Sequence, residues 1–262
     1  MKRYGLKEKL ARGEPSIGAS IAMASPDLVD FCGFLGFEWV IMDAEAGPIG
    51  VAECLAICRV CEAHSMAPIV KVPRPDPELI QAYLRTGAIG IVAPHVNTAE
   101  DAQAVVAAAR YPPEGRRGHD MGGRSSGYAP VEIDPEYLAE SNREILVGVL
   151  VEDTTGLANL GAILQVPGID VLYIGPGDLA TSMGHESRDH PAVQEAIAEG
   201  RQKILAAGKA LFGGAVDVAT ARQAIAQGAL LIHTRVTETW GNLTRAYLEE
   251  VRAGLPQSGK QE

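Results

Sequence analysis

The sequence predicts a (β/α)8 barrel, and three observations lead to that fold. The chain has 262 residues, which suits one α/β barrel and is short for two full domains. Short apolar runs alternate with helical patterns along almost its whole length. These runs are near-continuous in Val, Ile and Leu, as expected of parallel strands buried on both faces. We expect one domain over 1–262, with a core over about 15–250.

The eight predicted strands cover 16–22, 38–43, 68–73, 90–96, 145–152, 170–175, 210–216 and 230–236. Residues typical of helix starts and helix-ending glycines lie between them: Ser25-Pro26, Asp76-Pro77, Thr98, Gly87, Gly208 and Gly228. The interruption at 112–135 is rich in Gly, Arg and Pro, and a loop of that length is typically functional. A doubly wound open sheet is the alternative fold, but no glycine-rich fingerprint follows the first strand.

Composition limits the classes of partner. The net charge of −10 argues against nucleic acid or an anionic membrane as the main partner. No apolar run is long enough to span a bilayer. The four cysteines lie in apolar surroundings, which predicts buried structural thiols rather than a zinc site or a disulfide framework. We therefore expect a cytoplasmic protein.

Charged side chains concentrate at the predicted strand ends. In a barrel, the C-terminal ends of the strands converge on one mouth, where function lies. The residues at these ends are Asp43, Glu45, Lys71, Arg74, His95, Glu152, Asp153, Asp178, His233 and Arg235. Such a mouth predicts a site for a small polar ligand.

Glu152 and Asp178 follow strands five and six, which are neighbours in a barrel. Two adjacent carboxylates favour a hard cation such as Mg²⁺ or Mn²⁺. The alternative is that each side chain merely caps the helix that follows it, and spacing alone leaves both open. His95 and His233 have a similar alternative as rim or core histidines. Arg235 must be paired or face a ligand, because a guanidinium is costly to bury alone.

Three stretches together resemble the HpcH/HpaI family of metal-dependent, pyruvate-utilising aldolases. They are GFEWVIMDAEAGP (36–48), the stretch 72–118 ending in YPPEGRRG, and 149–184 with GIDVLYIGPGDLATSMG. The resemblance implies a barrel of the phosphoenolpyruvate/pyruvate-binding type. It also implies a carbon–carbon lyase that cleaves or forms a 4-hydroxy-2-oxoacid through a pyruvate-type enolate. The assembly it implies is a homo-oligomer, a trimer of dimers with exchanged C-terminal helices.

The resemblance also implies roles for single residues. Glu152 and Asp178 would be the protein ligands of Mg²⁺ or Mn²⁺, with Co²⁺ as a further candidate. Backbone amides around Gly177 would hold the carboxylate of a 2-oxoacid substrate. Asp43 would take part in acid–base chemistry.

The sequence departs from the family pattern at the mouth. Ala46 stands where the family has the histidine that works with the aspartate, and Lys71 stands where it has an arginine. Leu150 replaces a glutamine, while His233 and Arg235 lie on a strand that is usually small and apolar.

Several activities are compatible with this re-lined pocket. In the first, a lyase takes its proton through His95 or His233, and Arg235 and Lys71 bind the substrate. In the second, the same scaffold decarboxylates a 2-oxoacid. In the third, a degenerate paralogue binds metal and 2-oxoacid without turnover. A Schiff-base enzyme through Lys71 is a further alternative.

Overall fold

The computed structural model describes residues 4–119, 122–128 and 134–255, and within them the predicted barrel is confirmed. Eight parallel strands each pair with their sequence neighbours, and the first pairs with the last to close the barrel. The strands are β1 (Ser16–Ile21), β2 (Trp39–Asp43), β3 (Ala67–Lys71), β4 (Gly90–Ala93), β5 (Leu146–Val151), β6 (Val171–Ile174), β7 (Ala210–Ala215) and β8 (Ala229–Arg235).

Helices alternate with these strands on the outside of the barrel. They are α1 (Leu6–Ala11), α2 (Pro26–Phe34), α3 (Val51–Ala63), α4 (Pro77–Arg85), α5 (Ala99–Ala109), α6 (Pro135–Glu144), α7 (Thr154–Ala158), α8 (Leu160–Leu164), α9 (Pro176–Ser182), α10 (Pro191–Ala206), α11 (Val218–Ala226) and α12 (Val236–Ala253). Two of the predicted helix starts are confirmed by N-terminal caps. The Ser25 hydroxyl accepts the Leu28 N–H, and Thr98 forms a capping box with Asp101.

Strand β4 is three residues shorter than the prediction of 90–96. Pro94 has no N–H to continue the ladder, and His95 adopts a positive φ of 52° that turns the chain. The strand therefore ends at Ala93 and delivers His95 to the mouth. In the interruption at 112–135, residues 120–121 and 129–133 lie outside the described residues. A short 3-10 turn occupies Arg124–Ser126.

Two apolar layers hold the barrel together. The outer layer packs the strands against the helices, and the inner layer fills the barrel from its N-terminal end. Trp39 is fully buried in the inner layer beside Phe212. A Cβ at Gly18 would lie 2.1 Å from the Trp39 ring, so only glycine on β1 leaves room for the indole. Dense packing of this kind closes the lower half of the barrel.

The cysteines are free thiols and all four are buried, in agreement with a structural role. The Cys54 and Cys58 sulfurs lie 3.2 and 3.4 Å from the Thr86 hydroxyl. Burial raises the pKa of the Cys61 thiol, which keeps it protonated. Within the described ranges, no helix is both long and apolar enough to cross a bilayer.

Candidate active site

A small cavity opens at the C-terminal ends of the strands, where the sequence predicts the site. It has a volume of about 70 Å³. Asp43, Lys71, His233 and Arg235, four of the predicted site residues, line it together with Leu150. The barrel therefore brings side chains from β2, β3, β5 and β8 to one enclosed volume.

Glu152 lies directly after β5 and is buried, with 2% of its surface exposed. Its Oε1 accepts the main-chain N–H of His95 at 2.8 Å, and the Nδ1 of the same histidine lies 3.2 Å from that oxygen. A Cβ at Gly175 would lie 2.7 Å from Oε2, so the end of β6 packs closely against the carboxylate. Burial raises the pKa of Glu152, while the His95 N–H and Lys71 oppose that rise.

Glu45 connects His95 with Lys71. Its Oε1 lies 3.2 Å from His95 Nε2, and its Oε2 contacts the Lys71 ammonium. Burial opposes the charge on Lys71, but the hydrogen bond to Glu45 and the carboxylates of Asp43 and Glu152 outweigh it. The pKa of Lys71 is therefore raised, and its ammonium form is favoured.

The donor set at the mouth fits a divalent cation. Glu45, His95 and Glu152 each offer one ligand atom, and these atoms lie within 4.8 Å of one another. The carboxylate oxygens suit Mg²⁺ or Mn²⁺, and the imidazole adds one nitrogen donor. Glu152 Oε2 accepts no hydrogen bond from any described residue, so it is free to bind a cation. Asp178 is not one of these three residues and is exposed in the first turn of α9.

The helix-cap alternative for the two acids is wrong. The side chain that caps α7 belongs to Asp153, whose Oδ1 accepts the Gly156 N–H at 2.8 Å. Helix α9 has Gly175 at its cap position, with no side-chain cap. Glu152 and Asp178 are thus available for another role.

The turn after β2 gives Asp43 and Glu45 different degrees of burial and different partners. Asp43 is buried, and its Oδ1 accepts the Ala46 N–H at 3.0 Å. Glu45 is half-buried and reaches Lys71 and His95. The Ala46 side chain is exposed at the rim, where a larger side chain has room.

The two candidate histidines differ in environment. His95 is 51% exposed and contacts two carboxylates. His233 packs among the rings of Trp39, Tyr173 and Phe212, and its Nδ1 is enclosed without a hydrogen-bond partner in the described structure. Burial lowers the pKa of His233 to about 4, with Arg235 and Lys71 adding to the effect. His95 is thus the better placed of the two to exchange protons with a ligand.

Two predicted substrate-binding residues lie further out. Arg235 ends β8, is exposed, and has no carboxylate within ion-pair distance among the residues that the structure describes. Gly177 is exposed in the first turn of α9.

Sequence analysis did not single out Tyr173. This residue pairs with Leu150 in the ladder and lines the same cavity. A signal was present, since a tyrosine interrupts the apolar run of β6 just before its end.

A closed parallel barrel with carboxylates, a lysine and imidazoles at its mouth is typical of barrel enzymes that act on small molecules. Residues 17–238 match the model of the HpcH/HpaI aldolase/citrate lyase family, and the chain belongs to that family. The predicted family and the predicted lyase class are confirmed.

Two relatives of the chain are aldolases by name. The hydroxypyruvate/pyruvate aldolase of Deinococcus radiodurans is 38% identical over 234 residues, which cover 89% of this chain and 84% of the relative. The 2-keto-3-deoxy-L-rhamnonate aldolase of Klebsiella pneumoniae is 37% identical over 225 residues, covering 85% and 83%. A crystal structure of a family member from Burkholderia cenocepacia J2315 superposes with a TM-score of 0.87 at 31% identity, covering 95% of this chain and 99% of that one.

Proposed function

We propose that the protein is a divalent-metal-dependent aldolase that cleaves or forms a 4-hydroxy-2-oxoacid, with His95 in place of the absent histidine at position 46. The observation that carries the proposal is the position of the His95 imidazole, 3.2 Å from both Glu45 and Glu152. It puts a proton carrier beside the carboxylates at the mouth, and the fold, the family and the named relatives are those of aldolases.

We assign Glu152 and Asp178 as the protein ligands of the metal, with Mg²⁺ or Mn²⁺ first and Co²⁺ next. The burial of Glu152 and its free Oε2 support the first ligand. The position of Asp178 in the first turn of α9, three residues after the glycine that packs on Glu152, supports the second. When bound, the cation supplies Lewis acidity toward the keto and carboxylate oxygens of the substrate.

The residues of the chain supply binding and proton transfer. Lys71, held by Glu45 and facing the cavity, provides a fixed positive charge for the substrate oxygens. Main-chain amides around Gly177 bind the substrate carboxylate. The Glu45 carboxylate orients the His95 ring, which then carries the proton to and from the aldol oxygen. Asp43 holds the β2 turn in place through Ala46 and positions a water at the mouth.

Deuterium exchange at the methyl group of pyruvate tests this proposal. We expect exchange that requires Mg²⁺, Mn²⁺ or Co²⁺, stops on chelation and disappears in Glu152→Gln, which keeps an acceptor for the His95 N–H. Glu195→Gln, an exposed change on α10, is the matched control and should exchange normally. Metal and oxalate binding without exchange, and without cleavage of any 4-hydroxy-2-oxoacid, would instead identify a binding protein.

Decarboxylation of a 2-oxoacid that carries a second carboxylate β to its keto group is the second candidate. The exposed Ala46 favours it, because loss of CO₂ to give the same enolate needs no base at that position. Oxaloacetate tests it: metal-dependent release of CO₂ that exceeds aldol cleavage would identify a decarboxylase.

We also propose a cytoplasmic homo-oligomer, a trimer of dimers. Four free thiols support the compartment. Exposed apolar side chains on α12, among them Leu243, Tyr247 and Val251, support assembly through this helix. Light scattering on the eluting protein measures the mass, and a monomer would contradict the assembly.

A further inference from the structure

A second cleft lies outside the mouth cavity, between the ends of β6, β7 and β8. Its volume is about 250 Å³, and it shares Tyr173, His233 and Arg235 with the inner cavity. The two volumes are therefore lined by a continuous set of side chains. The outer cleft thus adjoins the inner cavity at these three residues.

Three guanidiniums from separate parts of the chain line this outer cleft. Arg188 lies in the connection after α9, Arg201 lies on α10, and Arg235 ends β8. Bringing three like charges to one cleft costs free energy unless an anion offsets it, and the chain as a whole carries a net charge of −10. The cluster therefore opposes the overall charge of the protein.

No acid of the described chain forms an ion pair with these arginines. In the described ranges, no carboxylate lies within 4.0 Å of the Arg188, Arg201 or Arg235 guanidinium. Arg201 donates one N–H to the Gln227 amide oxygen, which is neutral. Asp189 and Glu238 also line the cleft, so three cations face two acids that are not paired with them.

Tyr173 lies between the two volumes. The structure gives its hydroxyl no hydrogen bond to another described residue. Burial raises its pKa, which keeps the phenol protonated, and the arginines of the cleft and Lys71 oppose the rise. The cleft thus offers one neutral O–H donor and several charged N–H donors that are free to bind an anion.

We propose that this outer cleft is a subsite for a second anionic group of the substrate, a distal carboxylate or phosphate, bound by Arg188, Arg201 and Arg235. The inference rests on the proposed function, since it places the 2-oxoacid end in the inner cavity. Guanidinium pairs bind carboxylate and phosphate oxygens through two N–H groups at once. The preferred substrates are then 4-hydroxy-2-oxoacids that carry a negative charge at the far end.

Binding of unreactive 2-oxoacids to the metal-loaded protein tests the subsite by calorimetry. The dicarboxylic probes are 2-oxoglutarate, 2-oxoadipate and 2-oxopimelate, and each is compared with an analogue that has an isopropyl group in place of the distal carboxylate. We expect at least one dicarboxylate to bind about tenfold to a hundredfold more tightly than its neutral analogue. Inorganic phosphate should compete with that dicarboxylate but not with pyruvate. Binding of 2-oxoacids that end in a phosphate monoester then distinguishes a phosphate from a carboxylate as the preferred group.

Two variants test whether the arginines of the outer cleft cause the preference for dicarboxylates. Arg188→Gln and Arg201→Gln should each reduce the dicarboxylate preference several-fold, and together they should abolish it. Arg222→Gln removes an exposed guanidinium from α11 outside the cleft and should leave the preference intact. A preference that persists in the double variant, or equal binding of charged and neutral probes at every length, overturns the subsite.

The outcomes separate this inference from the proposed function. Pyruvate exchange with no preference for dicarboxylates would retain the lyase and remove the subsite. Arginine-dependent dicarboxylate binding without any exchange would retain the subsite and remove the lyase.

Discussion

His95 contacts Glu152 through both its backbone and its side chain. The main-chain N–H donates to Glu152 Oε1 at 2.8 Å, and Nδ1 lies 3.2 Å from the same oxygen. Both contacts are made with His95 in the left-handed backbone region, which non-glycine residues occupy uncommonly. A strained residue at the mouth is consistent with a functional role for its imidazole.

His95→Gly tests that role. Glycine suits a φ of 52°, so the variant should fold, while kcat for aldol cleavage should fall about a hundredfold. Added imidazole should restore part of the rate. Ser65→Gly also replaces a side chain at positive φ, outside the mouth, and should keep full activity.

The His95→Gly variant also distinguishes between two roles of His95, proton carrier and metal ligand. If His95 carries a proton, the Kd for Mn²⁺ in His95→Gly stays near that of the unchanged protein. A large rise in this Kd, with no rescue by imidazole, would show that His95 binds the metal.

Ala46→His should supply a proton carrier at the position where the sequence resemblance implies a histidine. Residue 46 is exposed, so the imidazole fits without displacing the core, and thermal unfolding should be nearly unchanged. In the His95→Gly background it should recover aldol cleavage, measured as pyruvate release. Ala52→His on α3, also exposed, is the control and should recover nothing.

Lys71 should form no covalent adduct. Its pKa is raised because the hydrogen bond to Glu45 and the neighbouring carboxylates outweigh the opposing effect of burial, so the amine that attacks a ketone is scarce. Intact mass should therefore be unchanged after treatment with pyruvate and borohydride. A reduced pyruvyl adduct on Lys71, with exchange that survives chelation, would contradict the metal-dependent proposal.

His233 should make the protein less stable in mild acid. Its pKa is lowered from 6.5 to about 4 in the folded state, so between these values the unfolded chain binds a proton that the native state does not. The free energy of unfolding therefore decreases as the pH falls from 6.5 toward 4, by at most about 3 kcal/mol from this group.

Urea unfolding at several pH values measures this effect. His233→Phe keeps a ring beside Phe212 and should flatten the decrease in unfolding free energy. His190→Asn keeps a capping side chain at the start of α10 and should leave it unchanged. Equal slopes in His233→Phe and the unchanged protein would rule out His233 as the cause.

The fold could be predicted almost completely, because each buried parallel strand is a near-continuous apolar run in the sequence. Eight apolar runs at the spacing of βα units are compatible with few architectures. The largest difference is at the end of β4, where Pro94 and His95 stop the ladder. Helix α1 could not be predicted in this way, since it is short and has no side-chain cap.

The candidate site could be predicted only in part. Strand ends indicate which residues reach the mouth, and four of them do line one cavity. The contact of Glu45 with His95 depends on where the chain turns after β4, which a positive φ decides. Arg188 and Arg201 lie on a connection and a helix, so nothing in their sequence neighbourhood links them with Arg235.

The packing of Trp39 against Gly18 affects the order in which the two products leave the site. The Trp39 indole fills the lower half of the barrel, so among the described residues the cavity opens at the C-terminal ends of the strands. A two-part substrate whose 2-oxoacid end enters first must leave in reverse: the aldehyde fragment departs while pyruvate is still bound beneath it. Aldehyde should therefore inhibit noncompetitively, and pyruvate competitively, in steady-state cleavage.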